Sequence, residues 1–446
     1  MARRARVLAS VLVAIALGAM VYRVGPWGGG DAGPSGPPVP GARGRLAYIR
    51  DGDVWIYDLR AGAERRLTRG GGHSRPQWSG NGLWLSYTRD GNTWTVRQDG
   101  RHAFAVPGAD LPASVRWAPR GARLAYASSD GSLSTFDPPG SSNTQRVIIP
   151  PGNGVGPAIA WSANSVRLAF ERHQPATSTV SNEGIWTISV SGKNLLPVYI
   201  ASGDHHLALC CWTQAGEYLL FWQGKRSEPG AQGILPLFLA RSSSSQPVAV
   251  GEGTLPLASL IDVASQSNLI ALAAARSGTG PASQLIIAEP IVVRGGTITV
   301  GTRSLAGGEG SRVDGPAWAP RSSNLAFSLS SSAGTHAGRV AHNGRIWLTP
   351  LPEGTAHPLL ADATVPAGVS DEYPQWARDE KTLLFMRRPM PDSASAGRGD
   401  PPPGIEVWAA TADGSASRRV VGGLPLPPSL AGLTWDWPSI LDYHWE

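Results

Sequence analysis

A tryptophan followed nine residues later by another aromatic residue is the feature of this sequence that most limits its fold. A leucine stands two positions before each second aromatic residue. An altered copy lies at Val263/Leu272, and the copies begin 39 to 58 residues apart, a period typical of propeller blades or helical arrays. The complete pairs are Trp78/Tyr87, Trp117/Tyr126, Trp161/Phe170, Trp212/Phe221, Trp318/Phe327 and Trp376/Phe385.

The residues within each copy favour β-strands over helices. A short stretch ends at the tryptophan, a turn rich in Gly, Pro, Asn and Ser follows, and hydrophobic and small residues then alternate. Such alternation puts Leu124 and Tyr126 on one face of a strand and Ala125 on the other. The pattern predicts an all-β fold of four-stranded blades, with the tryptophans packed in the wedges between neighbouring blades.

The two ends of the repeat region are expected to complete one blade together. Leu46-Ala47-Tyr48 matches the second strand of a copy, and Gly432-Leu433-Thr434-Trp435 matches a first strand. Sharing one blade closes the ring and removes an exposed sheet edge. We therefore predict a β-propeller of eight blades, or of seven if the Val263 copy belongs to a neighbouring blade.

Three stretches carry a resemblance to a known family. They resemble the TolB-type, WD-repeat-like β-propeller repeat, which reads Pro-x-Trp-Ser-Pro-Asp-Gly followed by Ile/Leu-Ala-Phe/Tyr. The stretches are Pro76-Gln77-Trp78-Ser79 with Leu85-Ser86-Tyr87, Trp117-Ala118-Pro119-Arg120-Gly121 with Leu124-Ala125-Tyr126, and Pro374-Gln375-Trp376 with Leu383-Leu384-Phe385.

The resemblance covers residues 45 to about 437 and implies a propeller fold. In that family TolB grips envelope proteins, and related propellers cap prolyl-oligopeptidase-like hydrolases. The α/β domain of TolB has no counterpart here, and no Gly-x-Ser-x-Gly nucleophile motif occurs. The resemblance therefore implies a fold without implying a reaction.

An apolar stretch near the N-terminus predicts export from the cytoplasm. Three arginines within residues 1–6 precede the uncharged residues 7–22, a pattern that fits a signal peptide or an apolar signal-anchor helix over residues 1–24. We favour the uncleaved anchor. Residues 25–44 are predicted to form a Gly/Pro-rich tether and residues 45–446 the propeller. The propeller then lies outside the cytoplasmic membrane, whereas cleavage would leave it secreted or periplasmic.

The net charge does not indicate a nucleic-acid partner. The chain carries a formal net charge of +6 at pH 7. Residues 1–44 contribute +4 of this charge, which leaves +2 for the predicted propeller. A nearly neutral body without a clustered basic segment is a poor match for polyphosphate, so we expect no nucleic acid to bind.

The loop between the second and third predicted strands lengthens along the chain and marks a candidate binding face, the insertion-loop face. It is a tight turn at Asp51-Gly52 and at Asp90-Gly91, and it is longer in five later copies. Repeat proteins commonly bind through the face that collects insertions. We predict that this face docks an envelope protein or an anionic glycan through its cations, which are Arg172, Lys225, Arg226, Arg276, Arg339, Arg387, Arg388 and Arg398.

The favoured function is a non-catalytic binding scaffold, tethered to the membrane and monomeric as a propeller. The histidines are scattered without the spacing of a metal site or a catalytic triad, so we expect neither a metal nor a cofactor. Residues from different blades can still meet in a propeller channel. An extracytoplasmic hydrolase or lyase with its site at the channel mouth is therefore the alternative.

The two cysteines, Cys210 and Cys211, stand directly before Trp212. Neighbouring strand residues point to opposite faces, so we expect two small residues in a buried strand rather than a vicinal disulfide. His205 and His206 lie just upstream, but the same alternation separates each pair and argues against a metal site.

Overall fold

Each repeat folds into an antiparallel sheet whose strands follow one another in space as they do in sequence, and eight such sheets form a closed propeller. The prediction of an all-β, eight-bladed fold is confirmed, and the seven-blade alternative is wrong. The computed structural model describes residues 43–138, 144–173, 183–201, 203–213, 216–225, 233–242, 246–251, 253–275, 282–292, 298–336, 339–352, 354–390, 404–430 and 434–445.

The blades are numbered along the chain, and their strands are given from the central channel outwards. Blade 1 comprises Leu441–Trp445, Gly44–Arg50, Asp53–Asp58 and Ala63–Arg66. Blade 2 comprises His73–Trp78, Trp84–Arg89, Asn92–Arg97 and Phe104–Ala105. Blade 3 comprises Arg116–Trp117, Leu124–Ala127, Leu133–Asp137 and Thr144–Ile149. Blade 4 comprises Val155–Trp161, Arg167–His173, Glu183–Ser189 and Leu196–Ile200.

The second half continues the same order. Blade 5 comprises His205–Trp212, Tyr218–Lys225, Leu237–Arg241 and Val248–Ala249. Blade 6 comprises Ile261–Val263, Ile270–Ala274, Gln284–Val292 and Ile298–Gly307. Blade 7 comprises Ser311–Trp318, Asn324–His336, Arg345–Pro350 and His357–Pro358, with Arg339–His342 paired to its second strand. Blade 8 comprises Val369–Trp376, Thr382–Pro389, Ile405–Thr411 and Ser417–Leu424.

Blade 1 is completed by both ends of the repeat region. Gly44–Arg50 pairs antiparallel with Leu441–Trp445, from Gly44 opposite Trp445 to Tyr48 opposite Leu441. The prediction that the two ends share a blade is confirmed, but the predicted closing strand is wrong. Thr434–Trp435 instead pairs with Ser429–Leu430 in a separate two-stranded sheet.

The closing strand escaped the repeat pattern because tyrosine replaces tryptophan in it. Leu46 pairs with Tyr443 as Leu85 pairs with Trp78, so Tyr443 occupies the tryptophan position of blade 1. The chain reaches this strand through a single-turn 3-10 helix, Trp437–Ser439. Other such turns, at Pro112–Ser114, Ala258–Leu260 and Asp362–Thr364, precede the inner strands of blades 3, 6 and 8.

At five boundaries the repeated tryptophan joins a blade to the blade before it by a hydrogen bond that the sequence pattern does not reveal. Its ring packs between blades, as predicted, and its indole Nε1–H donates to a backbone carbonyl of the preceding inner strand. The bonds are 2.9–3.2 Å long and run from Trp117 to Gln77, Trp161 to Arg116, Trp212 to Ala160, Trp318 to Asp262 and Trp376 to Ala317.

Three boundaries between blades lack this indole bond in the described part of the chain. Val263 and Tyr443 occupy the tryptophan position in blades 6 and 1, and neither has an indole group. Trp78 keeps the ring, but its Nε1–H is buried without a hydrogen-bond partner. The contact between neighbouring blades at the tryptophan position therefore differs in strength from one boundary to the next.

No helix in the described ranges is long and apolar enough to span a membrane. The predicted signal or anchor segment, residues 1–24, and residues 25–42 of the predicted tether lie outside those ranges.

Replacing Trp376 with Phe is expected to destabilise the propeller more than the same change at Trp78. Both residues are buried to a similar degree, with 5% and 6% of their surfaces exposed. Only Trp376 donates its indole N–H, to the carbonyl of Ala317, and an unsatisfied buried acceptor costs about 1–3 kcal/mol. Urea unfolding measures the difference, and equal losses in the two variants would contradict a role for the bond.

Candidate functional site in the central channel

One residue from each blade occupies the same position on the innermost strand, the strand next to the central channel. In every blade this residue directly precedes the tryptophan position and pairs with the middle residue of the second-strand motif. Because the inner strands all run in the same direction along the channel, these residues occupy one level. This set, the channel ring, is Asp442, Gln77, Arg116, Ala160, Cys211, Asp262, Ala317 and Gln375 for blades 1 to 8.

The channel ring is chemically uneven. It combines two carboxyl groups, one guanidinium, one thiol, two amides and two methyl groups. The sequence alone does not reveal it, because the position is the variable residue of the Pro-x-Trp motif and its identity changes from copy to copy. Comparing that single position across the copies would have gathered every member except Asp442, whose blade lacks the tryptophan.

Asp442 and Asp262 join neighbouring inner strands at the level of the channel ring. Oδ2 of Asp442 accepts the backbone N–H of Trp78 at 2.6 Å, and Oδ2 of Asp262 accepts that of Trp318 at 2.7 Å. Burial raises the pKa of Asp442 to about 7 and that of Asp262 to about 6, against the lowering effect of these bonds. Both groups can therefore exchange protons near neutral pH.

Arg116 is the cation of the channel ring. Its side chain is exposed, and Nη1 donates to the backbone carbonyls of Ala113 and Val115, both at 2.8 Å. The channel wall desolvates the guanidinium, and this effect, followed by repulsion from Arg75, lowers the pKa of Arg116. Neutral carbonyls are its hydrogen-bond partners among the described residues, so its charge is not neutralised by a carboxylate there.

Two more channel residues project where the inner strands are irregular. Arg75 and Tyr373 have positive φ angles of 52° and 54°, and each comes directly before the proline of its motif. Proline has no N–H for the ladder, and the register of both strands shifts at this point. The bulge therefore redirects the side chain that precedes the proline.

The segment before the closing strand covers these two residues. Arg75 Nη2 pairs with Oδ2 of Asp436 at 2.7 Å, and the ring of Tyr373 stacks on Trp437 with 6.1 Å between centroids. Burial, followed by the negative charges of nearby aspartates, raises the pKa of Tyr373. The charge of Arg75 is thus neutralised within the protein, unlike that of Arg116.

Two of the predicted binding residues are engaged inside blade 8. The strand Thr382–Pro389 extends past the predicted start of the loop and includes Arg387 and Arg388. Arg387 is 3% exposed, and its Nε and Nη2 donate to the two carboxylate oxygens of Asp371 at 2.7 and 2.8 Å. Arg388 Nη2 donates to Glu372 at 2.8 Å. The placement of Arg387 in the loop is therefore wrong, because the strand continues through it and the carboxylate of Asp371 holds it in the sheet.

The other predicted cations are not gathered into one described cluster. Arg172 ends the second strand of blade 4, donates to Asn153 at 3.0 Å and lies over the ring of Trp186. Lys225 is exposed at the end of the second strand of blade 5, and Arg339 lies in Arg339–His342. Docking at this face stays a prediction, and the remaining cations, Arg226, Arg276 and Arg398, lie outside the described residues.

Metal-ligating side chains do not converge in the described part of the chain. No group of three or more His, Cys, Asp or Glu residues is arranged there to hold a metal ion. The nearest approach to a mixed cluster is in blade 4, where His173 Nδ1 lies 3.4 Å from Glu183 and Nε2 lies 4.0 Å from Glu171. Those two carboxylates also accept backbone N–H groups of the blade 5 inner strand, from Leu207 and Leu209.

Asp442→Asn is expected to stabilise the propeller more at pH 8 than at pH 5. The pKa of Asp442 rises from 3.8 to about 7 on folding, so the folded protein binds this proton more tightly than the unfolded chain does. Its contribution to stability is full below about pH 4 and is lost as the pH rises through about 7. Asparagine keeps an acceptor for the N–H of Trp78 and has no charge to bury.

One pKa unit corresponds to about 1.4 kcal/mol, and about two units lie between pH 5 and the folded pKa of about 7, so a difference of about 3 kcal/mol between the two pH values is expected in urea unfolding. Asp90→Asn removes one charge from a side chain that is 82% exposed and is the matched control. An effect of Asp442→Asn that does not change with pH would contradict the titration of Asp442 in this range.

Comparison with known proteins gives matches among solved structures alone. No model of a known protein family matches the chain, and no curated protein matches it. A structure of a eukaryotic initiation factor matches with a TM-score of 0.50 and 14% identity, over 87% of this chain and 87% of that chain.

Two other matches have lower TM-scores. A TolB-like structure from Agrobacterium tumefaciens matches with a TM-score of 0.35 and 12% identity, over 90% of this chain and 99% of that chain. Prolyl oligopeptidase B from Galerina marginata matches with a TM-score of 0.47 and 11% identity, over 85% of this chain and 51% of that chain. At 14% identity the initiation-factor match supports the fold alone, and the comparisons assign no activity to this chain.

Proposed function

We propose that this chain is an exported, membrane-tethered propeller that acts as a binding scaffold and takes an anionic group of an envelope protein or a glycan. The observation that supports this best is the state of Arg116 in the channel ring. Arg116 is exposed on the inner strand of blade 3, and its guanidinium donates to the neutral carbonyls of Ala113 and Val115. A cation held in this way keeps its charge and several N–H donors for a ligand.

The surroundings of Arg116 favour an anion in two further ways. Desolvation and the charge of Arg75 both disfavour the charged form of Arg116, and a bound anion would offset both effects. Asp262 and Asp442 are the acidic members of the channel ring, and their raised pKa values of about 6 and about 7 keep them partly protonated near neutral pH. Their repulsion of an anion is therefore reduced, and binding should weaken as the pH rises.

The insertion-loop face, at the end of the channel where the inner strands begin, would contact the rest of the partner. Lys225 is exposed there, and Arg172 is held over Trp186 by two hydrogen bonds to Asn153. An arginine fixed in this way loses little side-chain freedom when it binds a carboxylate. The channel would bind one acidic group of the partner, and the insertion-loop face would contact the partner's surface around that group.

A hydrolase or lyase with its site in the channel is the second candidate. The carboxyl groups of Asp262 and Asp442 have pKa values suited to general acid–base catalysis, and Arg116 is a cation that can stabilise negative charge. In both aspartates, however, Oδ2 already accepts a backbone N–H from the next blade. This engagement fits a structural role better than a reactive one, so the scaffold is preferred.

Arg116→Ala is expected to weaken binding of an acidic ligand by about tenfold or more, because a charge-assisted hydrogen bond contributes about 1.5–3 kcal/mol. Titration calorimetry with an oligoglutamate peptide and with a uronic-acid oligosaccharide separates a protein partner from a glycan. Arg120→Ala is the matched control, since Arg120 is an exposed arginine of the same blade outside the channel ring.

Equal losses in the two variants would mean that general charge, rather than Arg116, attracts the ligand. Affinity that does not fall between pH 6 and pH 8 would contradict the contribution of Asp262 and Asp442. Shortening of the oligosaccharide during the titration would favour the hydrolase or lyase instead.

Export and tethering predict where the chain is found in cells. The full chain is expected to stay in the membrane pellet after alkaline extraction and to be digested by protease added outside the cytoplasmic membrane. A chain without residues 1–24 is expected to remain in the cytoplasm. A released form that has lost its N-terminal segment would indicate the cleaved signal, and resistance of the full chain to external protease would contradict export.

A further inference from the structure

Cys210 and Cys211 lie side by side, contrary to the expectation that strand alternation separates them. Their Sγ atoms are 3.0 Å apart, at the distance of a thiol–thiol hydrogen bond, and both side chains are partly buried as free thiols. That hydrogen bond, together with burial, raises the pKa of Cys210. The expectation that the two side chains point to opposite faces of the strand is therefore wrong.

A bulge in the inner strand of blade 5 is the cause. Leu209 pairs with Phe221 and Cys211 with Leu220, so Cys210 is an extra residue without a partner in the ladder. A bulge of this kind interrupts the alternation of side chains. In blades 2 and 8 the equivalent position is the proline of the Pro-x-Trp motif, and blade 5 has a cysteine there instead.

We propose that Cys210 and Cys211 are a redox-active vicinal dithiol that closes into a disulfide by thiol–disulfide exchange. Cys211 occupies the channel-ring position, and in this proposal the exchange begins at its thiol. Its thiolate attacks one sulfur of that disulfide, forms a mixed disulfide and releases one thiol. The Cys210 thiolate then attacks the Cys211 sulfur, which forms the bridge and releases the second thiol. The two cysteines are oxidised, and the external disulfide is reduced to two thiols.

Blade 6 places no indole bond on the backbone carbonyl of Cys211. In five boundaries an indole N–H binds the carbonyl of the channel-ring residue, but Val263 of blade 6 offers no such donor to Cys211. Closing the bridge requires the two sulfurs to approach each other further. The backbone at Cys211 can shift for this without breaking an indole bond.

Covalent geometry makes the bridge reversible. Adjacent Cα atoms are about 3.8 Å apart across a trans peptide bond, whereas disulfide-bonded residues usually have Cα atoms about 5.5–6 Å apart. A bridge between adjacent residues is therefore strained, and strained disulfides are reduced more easily than relaxed ones. A bound soft metal fits less well, because no third ligand joins the pair among the described residues.

The exchange chemistry stands independently of the proposed function, but its occurrence in cells rests on the proposed export. Disulfides form and persist outside the cytoplasm and are rare inside it. Because Cys210 and Cys211 are the only cysteines in the chain, an intramolecular disulfide can join no other pair. Mass measurement of the intact protein therefore reports on this bridge alone.

The test begins with the full chain, purified in reduced form and incubated under native conditions with oxidised glutathione. After denaturation and alkylation, the wild-type chain is expected to have lost two hydrogen atoms and to take no alkyl label. Cys210→Ser and Cys211→Ser are matched controls, and neither is expected to lose two hydrogens. A wild-type chain that keeps both thiols alkylatable, collects stable glutathione adducts or forms disulfide-linked dimers would overturn the proposal.

A second measurement uses the full chain in cells, with thiols trapped by acid before isolation. The bridged form is expected there if the propeller is outside the cytoplasm. A chain that bridges with glutathione but is fully reduced in cells would leave the exchange chemistry intact and would count against the proposed export. The two failures are therefore distinguishable.

Discussion

The side chain at the tryptophan position, which at five boundaries also donates an indole N–H to the preceding inner strand, is the contact on which the ring of blades depends. A four-stranded sheet satisfies its own backbone except at its two edges, and the inner edge faces the channel. The repeated tryptophan fills the wedge between sheets and also satisfies a carbonyl on that edge, as Trp212 does for Ala160. One residue type thus supplies apolar burial and a directional bond, which explains why its spacing dominates the sequence.

Much of the fold was predictable from the sequence, because strand alternation and the tryptophan period are local signals. The wrong predictions concern positions where contacts between strands override the local sequence pattern. Tyr443 replaces the tryptophan by which the closing strand would be recognised. The bulge at Cys210 interrupts the strand alternation that predicts opposite faces for the two thiols. The burial of Arg387 depends on Asp371 in the adjacent strand, a contact that turn residues do not predict.

The candidate site was harder to predict than the fold because it also depends on residues that are distant in sequence. A channel ring takes one residue from each blade, so its members are distant in sequence and share a position rather than a chemistry. Arg116, Asp262 and Cys211 are unremarkable as single residues and become a possible site only when the strand register aligns them. The length of a loop can be read from a sequence, so the insertion loops were predictable. The register that aligns the inner strands cannot be read in this way.

The closing blade also gives the molecule a polarity. Gly44–Arg50 runs from the end paired with Trp445 to the turn that precedes Asp53, so Gly44 and the insertion-loop face lie at opposite ends of the strands. A linker entering at Gly44 would orient the insertion loops away from the surface that holds it. Tension on that linker would load a strand held between Leu441–Trp445 and Asp53–Asp58, and a strand bonded on both sides resists extraction better than a terminal edge strand.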